Sequence, residues 1–320
     1  MFRLLLLFLM IPTLTFAQPV VQVISRYDAH VNGGIVASEY IRILNKIQDE
    51  YEFRLSIVPG AAGESADQKA VAIARQGQDV LVIGALSTWG LNGYTFPGTL
   101  DRDNDIVPLI AVEGFPNAIL VDEKSPINTV EELLAKIRTK ETVYHATTAG
   151  AGMGTFHAQL FVEKFGINNA KMITYRSSTD LIRGLIGGEL DYAIYIASDI
   201  PGLKALATSA SVRLPLYPNA KIGSEIGFPE FTHSSLTTFG VPKERKEFGQ
   251  RILHYLSKVC ESDEIKALIE RTRAPRYYCY NSNELKARIA NERVLFNKYQ
   301  NIIQTNFGPR VQTTKDLRTP

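Results

Sequence analysis

The sequence predicts an α/β protein of two lobes facing a shared cleft. Two observations carry this expectation. Apolar stretches short enough for buried strands alternate with stretches of helical period, and the alternation runs through the chain twice, with a change of register between the rounds. Residues 20–25 read as a strand, and 35–51, apolar at 36, 40, 41, 43, 44 and 47, as the helix after it. Residues 53–58 are the next strand, alanines 66, 70, 72 and 74 mark a helix, and 79–84 is a third strand. The second round has strands over 106–112 and 117–121, then a helix opened by Asn128-Thr129 with Glu131 and Glu132 in its first turn. A strand over 142–147, a helix and strand over 157–175, a helix after 177–179 and a strand over 192–196 follow. A strand over 236–241 and a mostly helical run introduced by Pro242 complete the chain.

The 320 residues carry a formal charge of +2 with the basic side chains scattered, so no nucleic-acid surface is expected. Arg3 precedes an apolar stretch from Leu4 to Phe16, and the small residues Thr15 and Ala17 stand before a cut after Ala17. That is the layout of a secretory signal peptide over 1–17. A membrane anchor would need an apolar run of about 20 residues, and this one is shorter. Cys260 and Cys279 read as a disulfide in an oxidising compartment, or otherwise as two buried thiols; with no neighbouring histidine pair they do not suggest zinc. The histidines at 30, 145, 157, 233 and 254 fall in separate elements, and no G-x-S-x-G nucleophile is present. A binding protein without a cofactor is expected rather than an enzyme.

Five loops at strand ends gather glycines and hydroxyls, the groups that hold anions through free donors. The first, 26–35, brings Gly33 and Gly34 close to a ligand, with Tyr27, His30 and Asn32 as polar candidates. The second, Pro59-Gly60-Ala61-Ala62-Gly63, is a ligand contact or a flexible turn into a helix. The third, 85–93, carries Ser87, Thr88 and the single tryptophan, Trp89, either a packing anchor or a platform for an apolar or planar ligand. The fourth, 147–157, offers the hydroxyls of Thr147, Thr148 and Thr155 beside amides freed by Gly150 and Gly152; its G-x-G-x-G spacing is not a dinucleotide fingerprint. The fifth runs through Arg176, Ser177, Ser178 and Thr179 into a helix. One hydroxyl caps that helix, and Arg176 either meets a carboxylate or pairs with a surface acid. Asp191 and Asp199 read as structural.

Residues 174–191, TYRSSTDLIRGLIGGELD, resemble the corresponding stretch of the solute-binding proteins of tripartite tricarboxylate transporters, the Bug or TctC-like proteins. Tyr175, Arg176, Leu185, Gly187, Gly188 and Asp191 fall in that family's pattern without a gap. Loops two and four resemble the family's P-G-A-G-G and S/T-x-G-x-G-S-x-x-H segments, the latter with one extra residue before His157. Loop one keeps only the glycine pair, and Val36 stands where relatives carry an acidic residue. The resemblance runs from about Val20 to Arg273. It implies a type II, Venus-flytrap periplasmic binding protein with a mixed sheet in each lobe. Lobe one would be 18–115 plus 235–320 and lobe two 116–234, joined by crossing strands near 112–121 and 231–241.

The same resemblance implies a monomeric protein of the periplasm that captures a small di- or tricarboxylate and delivers it to membrane permease subunits. The expected ligand contacts are Tyr27, Asn32, Gly33, Gly34, Ser87, Trp89, Thr147, Thr148, Gly150, Gly152, Thr155, Arg176, Ser177 and Ser178. Val36 and Trp89 favour a dicarboxylate with an apolar or aromatic body over citrate-like acids. A periplasmic sensor or adaptor for a membrane signalling protein would use the same closing lobes and is the alternative.

Overall fold

The computed structural model describes residues 18–27, 32–60, 63–95, 100–101, 105–148, 152–175, 178–232, 234–271 and 276–307. For Asn32, 92–95, Thr148, Thr174, Ser178, 276–278 and 304–307 it describes the backbone alone. The expected signal peptide, 1–17, lies outside the described residues. Strand β1 (Val20–Ser25) leads into α1 (Asn32–Ile47), β2 (Glu52–Ile57) into α2 (Glu64–Arg75), and β3 (Val80–Ala85) into α3 (Leu86–Thr95). β1 lies between β2 and β3, all three parallel. Alternate side chains on a strand go to opposite faces, and here both faces are covered. Val21 and Val23 pack with Val36, Tyr40 and Leu44 of α1, whereas Ile24 packs with Ala66, Ala70 and Ala74 of α2. That double coverage is why β3, VLVIGA, is buried at every position.

Strand β4 (Ile106–Asp122) runs for 17 residues. The expectation of two strands, 106–112 and 117–121, is corrected: Gly114, Phe115 and Pro116 stay extended while the strand changes partners. Proline lacks an amide donor, so it fits at this change-over; its carbonyl still accepts from the Ala197 amide at 2.8 Å. The first part of β4 pairs with β10 (Ser234–Pro242) and β11 (Arg276–Asn281), the second with β7 (Tyr192–Ile196) and β8 (Leu203–Thr208). Beyond it lie α4 (Val130–Arg138), β5 (Val143–Thr148), α5 (Met153–Phe165), β6 (Ala170–Tyr175), α6 (Ser178–Ile186) and the short β9 (Lys221–Ile222). β5 is parallel to both β6 and β7, which gives the order β2-β1-β3-β10-β4-β7-β5-β6. The result is two α/β lobes, each with a mixed sheet. α4 starts as expected, with the Glu132 amide donating to Thr129 Oγ1 at 3.1 Å.

Within the stretch 174–191, the described residues build the fold itself. Gly188 takes φ +76, a left-handed conformation that ends α6, while the Gly187 amide donates to the Arg183 carbonyl at 2.7 Å. Tyr175 lies against Gly184 and donates to Glu189 Oε2 at 3.2 Å. Asp191 accepts from the Tyr144 amide at 2.9 Å and pairs with Lys140, tying α6 and β7 back to β5.

Residues 86–95 form a helix where a loop over 85–93 is expected. Local propensity in S-T-W-G-L-N-G is weak, and packing supplies what it lacks. Trp89, 4% exposed, fills the space left by Gly84 and Gly240, where a side-chain carbon would come within 2.7 and 2.9 Å of its ring. Its indole N–H donates to Asp67 Oδ1 at 3.1 Å.

The C-terminal part adds α7 (Lys246–Cys260), α8 (Asp263–Arg271), α9 (Ser282–Lys298) and α10 (Gln300–Phe307), with the unforeseen β11 among them. β11 is bound to the end of α7 by a disulfide between Cys260 and Cys279, Cα atoms 5.9 Å apart. α9 is anchored on the first lobe: Ser282 Oγ donates to the Leu109 carbonyl at 2.9 Å and Arg288 Nη2 to the Ser234 carbonyl at 2.8 Å. Further along, Phe296 lies over Gly90 of α3 and edge-on to Phe156 of α5, ring centroids 5.2 Å apart, and Ile303 joins the same cluster. The stretch expected to belong wholly to lobe one therefore touches both. Replacing Cys260 and Cys279 together by serine should lower stability in urea by about 2 to 4 kcal/mol, the usual worth of such a link. A midpoint equal to that of the parent would contradict a stabilising role for this bond.

Candidate functional site

Strand register places the candidate site. Thr237 of β10 stands opposite Ala85, so β10 begins where β3 ends, and Thr237 also stands opposite Glu113 of β4. On the other lobe, Asn117 of β4 stands opposite Ile196 at the end of β7, and Ala118 opposite Thr208 at the end of β8. The C-terminal tips of the parallel strands in both lobes therefore point at one short stretch of β4, residues 113–118. In α/β folds ligands settle in the crevice beyond such tips.

The first lobe presents Arg26 and Tyr27 after β1, Ser87 and Thr88 at the start of α3, and Ser235 and Thr237 from β10. Arg26 is half-buried and its Nη1 donates to Thr88 Oγ1 at 2.7 Å. Ser87 Oγ donates to Ser235 Oγ at 3.3 Å. Thr237 Oγ1 donates to Glu113 Oε1 at 3.0 Å, and Thr237 also hydrogen-bonds Tyr27, whose phenol burial pushes above its ordinary value. Two acids lie beneath this layer. Burial raises Glu113 to about 8, the Thr237 hydrogen bond opposing; its Oε2 is buried without a partner. Burial likewise raises Asp67 to about 7, against the opposing effects of the Trp89 indole and of Arg26.

The second lobe presents the start of α5. Gly152 is its N-cap and has no side chain to bond the first-turn amides, which stay aimed beyond the helix with the positive end of its dipole. Thr147 and Thr155 hydroxyls sit 3.4 Å apart beside it. Behind them, Asn117 Nδ2 lies 3.0 Å from His157 Nδ1, and the Asn117 amide donates to Ser209 Oγ at 2.8 Å. Gly154 fits against this group; a side-chain carbon there would meet Thr147 Oγ1 at 3.4 Å and Asn117 Oδ1 at 3.6 Å. The arrangement offers oriented donors on both sides of β4, which suits a negatively charged small molecule. Among the described residues, no group of three or more histidine, cysteine or acidic side chains is placed to hold a metal ion.

Of the expected contacts, Tyr27, Gly33 and Ser87 lie at the first lobe's tips and Thr147, Gly152 and Thr155 at the second's. Gly33 accommodates the Tyr27 ring, which a side-chain carbon would approach to 3.1 Å, and the Gly34 carbonyl accepts from Ser38 Oγ at 2.8 Å. Trp89 and Val36 sit in the core of the first lobe. Asn32, Thr148 and Ser178 are placed by backbone only, at the start of α1, the end of β5 and the start of α6; Gly150, Arg176, Ser177 and His30 lie outside the described residues. Arg26, Thr88, Asn117, Ser235, Thr237 and Glu113 were not among the expected contacts. The available signals were a cation closing an otherwise apolar strand and a carboxylate inside one, at 26 and 113.

Two lobes, a shared strand and facing tips define the class: a two-domain periplasmic-binding-protein fold. MatC from Rhodopseudomonas palustris, solved with bound malate, superposes with a TM-score of 0.73 at 17% identity, covering 90% of this chain and 100% of that one. A second R. palustris protein, solved with adipate, gives 0.73 at 17%, covering 89% and 97%. The model of the tripartite tricarboxylate transporter family receptor matches residues 59–306, and the chain belongs to that family. The match begins after loop one, where the sequence departs from the family pattern, and extends past the expected limit at Arg273. A UPF0065 protein of Bordetella bronchiseptica is 31% identical over 175 residues, 54% of this chain; the match spans only about half, 49%, of that relative's length.

Glu113 makes the fold sensitive to pH. In the unfolded chain its carboxyl loses the proton near 4.5, and in the folded chain it keeps it to about 8. Between those values the folded state binds the extra proton, so stability falls as pH rises. Glu113→Gln, which keeps an acceptor for Thr237, should flatten that fall by roughly 1 to 3 kcal/mol between about pH 5 and 8. Urea denaturation across this range measures it; equal slopes for parent and variant would show that Glu113 ionises normally.

Proposed function

We propose that this chain is the extracytoplasmic solute receptor of a tripartite tricarboxylate transporter, binding a small di- or tricarboxylate without transforming it and passing it to membrane permease subunits. The supporting observation is the convergence of both sets of strand tips on residues 113–118 of β4, with donors on each side. Family membership supports the same role. Dicarboxylates occupy two structures of the same fold, malate in one and adipate in the other, and that favours a dicarboxylate here.

The geometry supports a closing mechanism. Lobe one is built around β1, β2, β3 and β10 and lobe two around β5, β6, β7 and β8, with boundaries near residues 115 and 235. A ligand held by both lobes makes contacts in the closed form that the open form lacks, and that difference shifts the population toward closure. Hydroxyls and amides replace the hydration shell of the carboxylates. The closed form then presents a continuous surface to the permease. Among the described residues no helix is long and apolar enough to cross a membrane, and the signal peptide over 1–17 delivers a monomer to the periplasm.

The test is thermal denaturation against mono-, di- and tricarboxylates. Ligand linkage requires the melting temperature to rise with at least one acid, by an amount that grows with its concentration. Thr147→Val should reduce the affinity for that acid by about 1 to 3 kcal/mol, the worth of a donor to a charged group. No shift with any of the acids would remove the carboxylate assignment.

A further inference from the structure

We infer that Arg26 grips one carboxylate of the ligand directly, so that the site selects a dianion with one carboxylate on Arg26 in the first lobe and the other on the α5 side of the second. The inference rests on the reading of the chain as a carboxylate receptor and assigns its charge recognition to a residue. Arg26 follows β1 immediately, its amide still bonded to the Ile83 carbonyl at 3.3 Å, so its side chain starts at the strand tip that faces β4.

The surroundings hold the guanidinium in place. Nη1 is bonded to Thr88 Oγ1, and the group lies against Gly63 at the start of α2. There a side-chain carbon would come within 2.9 Å of Nη1 and 3.0 Å of Cζ. Gly63 also has φ +93, a left-handed conformation that favours glycine. The Tyr27 ring lies beside the guanidinium, its centroid 5.8 Å from Cζ. A guanidinium presents five donors in a planar fork, and Thr88 accepts from one nitrogen. A fixed fork with donors to spare matches a carboxylate.

Charge points the same way. Arg42 and Arg54, both on the surface, sit in ion pairs with Glu39 and Glu52, at 2.7 and 2.8 Å. Among the described residues no carboxylate lies within ion-pair distance of Arg26. Burial raises Asp67, the acid that feels Arg26, to about 7, so it offsets that charge less than an ordinary carboxylate would. On the facing lobe the Thr147 and Thr155 hydroxyls and the α5 amides supply donors without a full charge. Among the described residues, a cation on one side and neutral donors on the other suit a molecule with a carboxylate at each end.

The experiment is calorimetric titration of the parent protein with succinate, glutarate and adipate and with the monoamide of each. Arg26→Met and Arg26→Lys are titrated alongside, with ligand-free melting recorded for each. The parent should bind its best diacid at least about 10-fold more tightly than the monoamide. Arg26→Met should lose about 10- to 100-fold on the diacid, in line with a hydrogen-bonded charge, and should lose most of the diacid preference; Arg26→Lys should recover part of the affinity. If Arg26→Met does not fold, Thr88→Val serves, with a several-fold loss on the diacid and a smaller one on the monoamide expected. A parent that binds a diacid while Arg26→Met, or Thr88→Val in its place, keeps affinity and preference within about 2-fold would overturn the role of Arg26 and leave the receptor assignment standing. A parent that binds none of these acids, and none in the thermal panel, would remove the receptor assignment itself.

Discussion

The structure depends on one strand serving two sheets. β4 satisfies its hydrogen bonds on one set of neighbours over its first half and on another over its second. Nearly all of its 17 positions are buried. Because β10 begins and β7 ends beside the same few residues, the strand tips of both lobes converge there without any loop having to reach across. The convergence is a result of register. A shift of one residue on either side would turn the polar residues at 113, 117 and 237 into the core and the apolar ones toward the cleft.

The polar chemistry at this point is asymmetric, and the asymmetry has a physical origin. In the first lobe, carboxylates lie deep enough that desolvation outweighs their hydrogen bonds, which leaves the guanidinium as the dominant charge. In the second, among the described residues beside the cleft, the donors are the amides and hydroxyls at the start of α5, with their partial dipoles. A buried Asp67 without the Trp89 indole would be costly, so the tryptophan serves both packing and polar satisfaction. This explains why the only tryptophan lies below the cleft's polar layer.

Much of the fold was legible in the sequence because strands covered on both faces leave continuous apolar runs, as at 80–85 and 192–196, and because Thr129 and Gly188 mark helix ends by mechanisms that act locally. What escaped depended on distant partners. Residues 86–95 become helical through the fit of Trp89 between glycines 84 and 240, and β11 pairs with a strand more than a hundred residues away. The candidate site was legible as loops but not as side chains. Hydroxyls and glycines announce themselves in a sequence, whereas Arg26 and Glu113 matter through what surrounds them, and surroundings are set by tertiary burial. The stretch 174–191, which carries the resemblance most strongly, is recognisable for the residues that shape a turn, Gly187, Gly188 and Asp191 among them.

Phe296 has a consequence for how the lobes move. Its ring rests on α3 of one lobe and against Phe156 of the other, while α9 is fixed to the backbone near the crossing through Arg288. Any swing of the lobes must slide or part an aromatic contact that water does not wet, and exposing that surface costs free energy in proportion to its area. The angle between the lobes is then set by a greased bearing beside the crossing as much as by the strands that thread it, and stiffness there would govern how readily the two halves part.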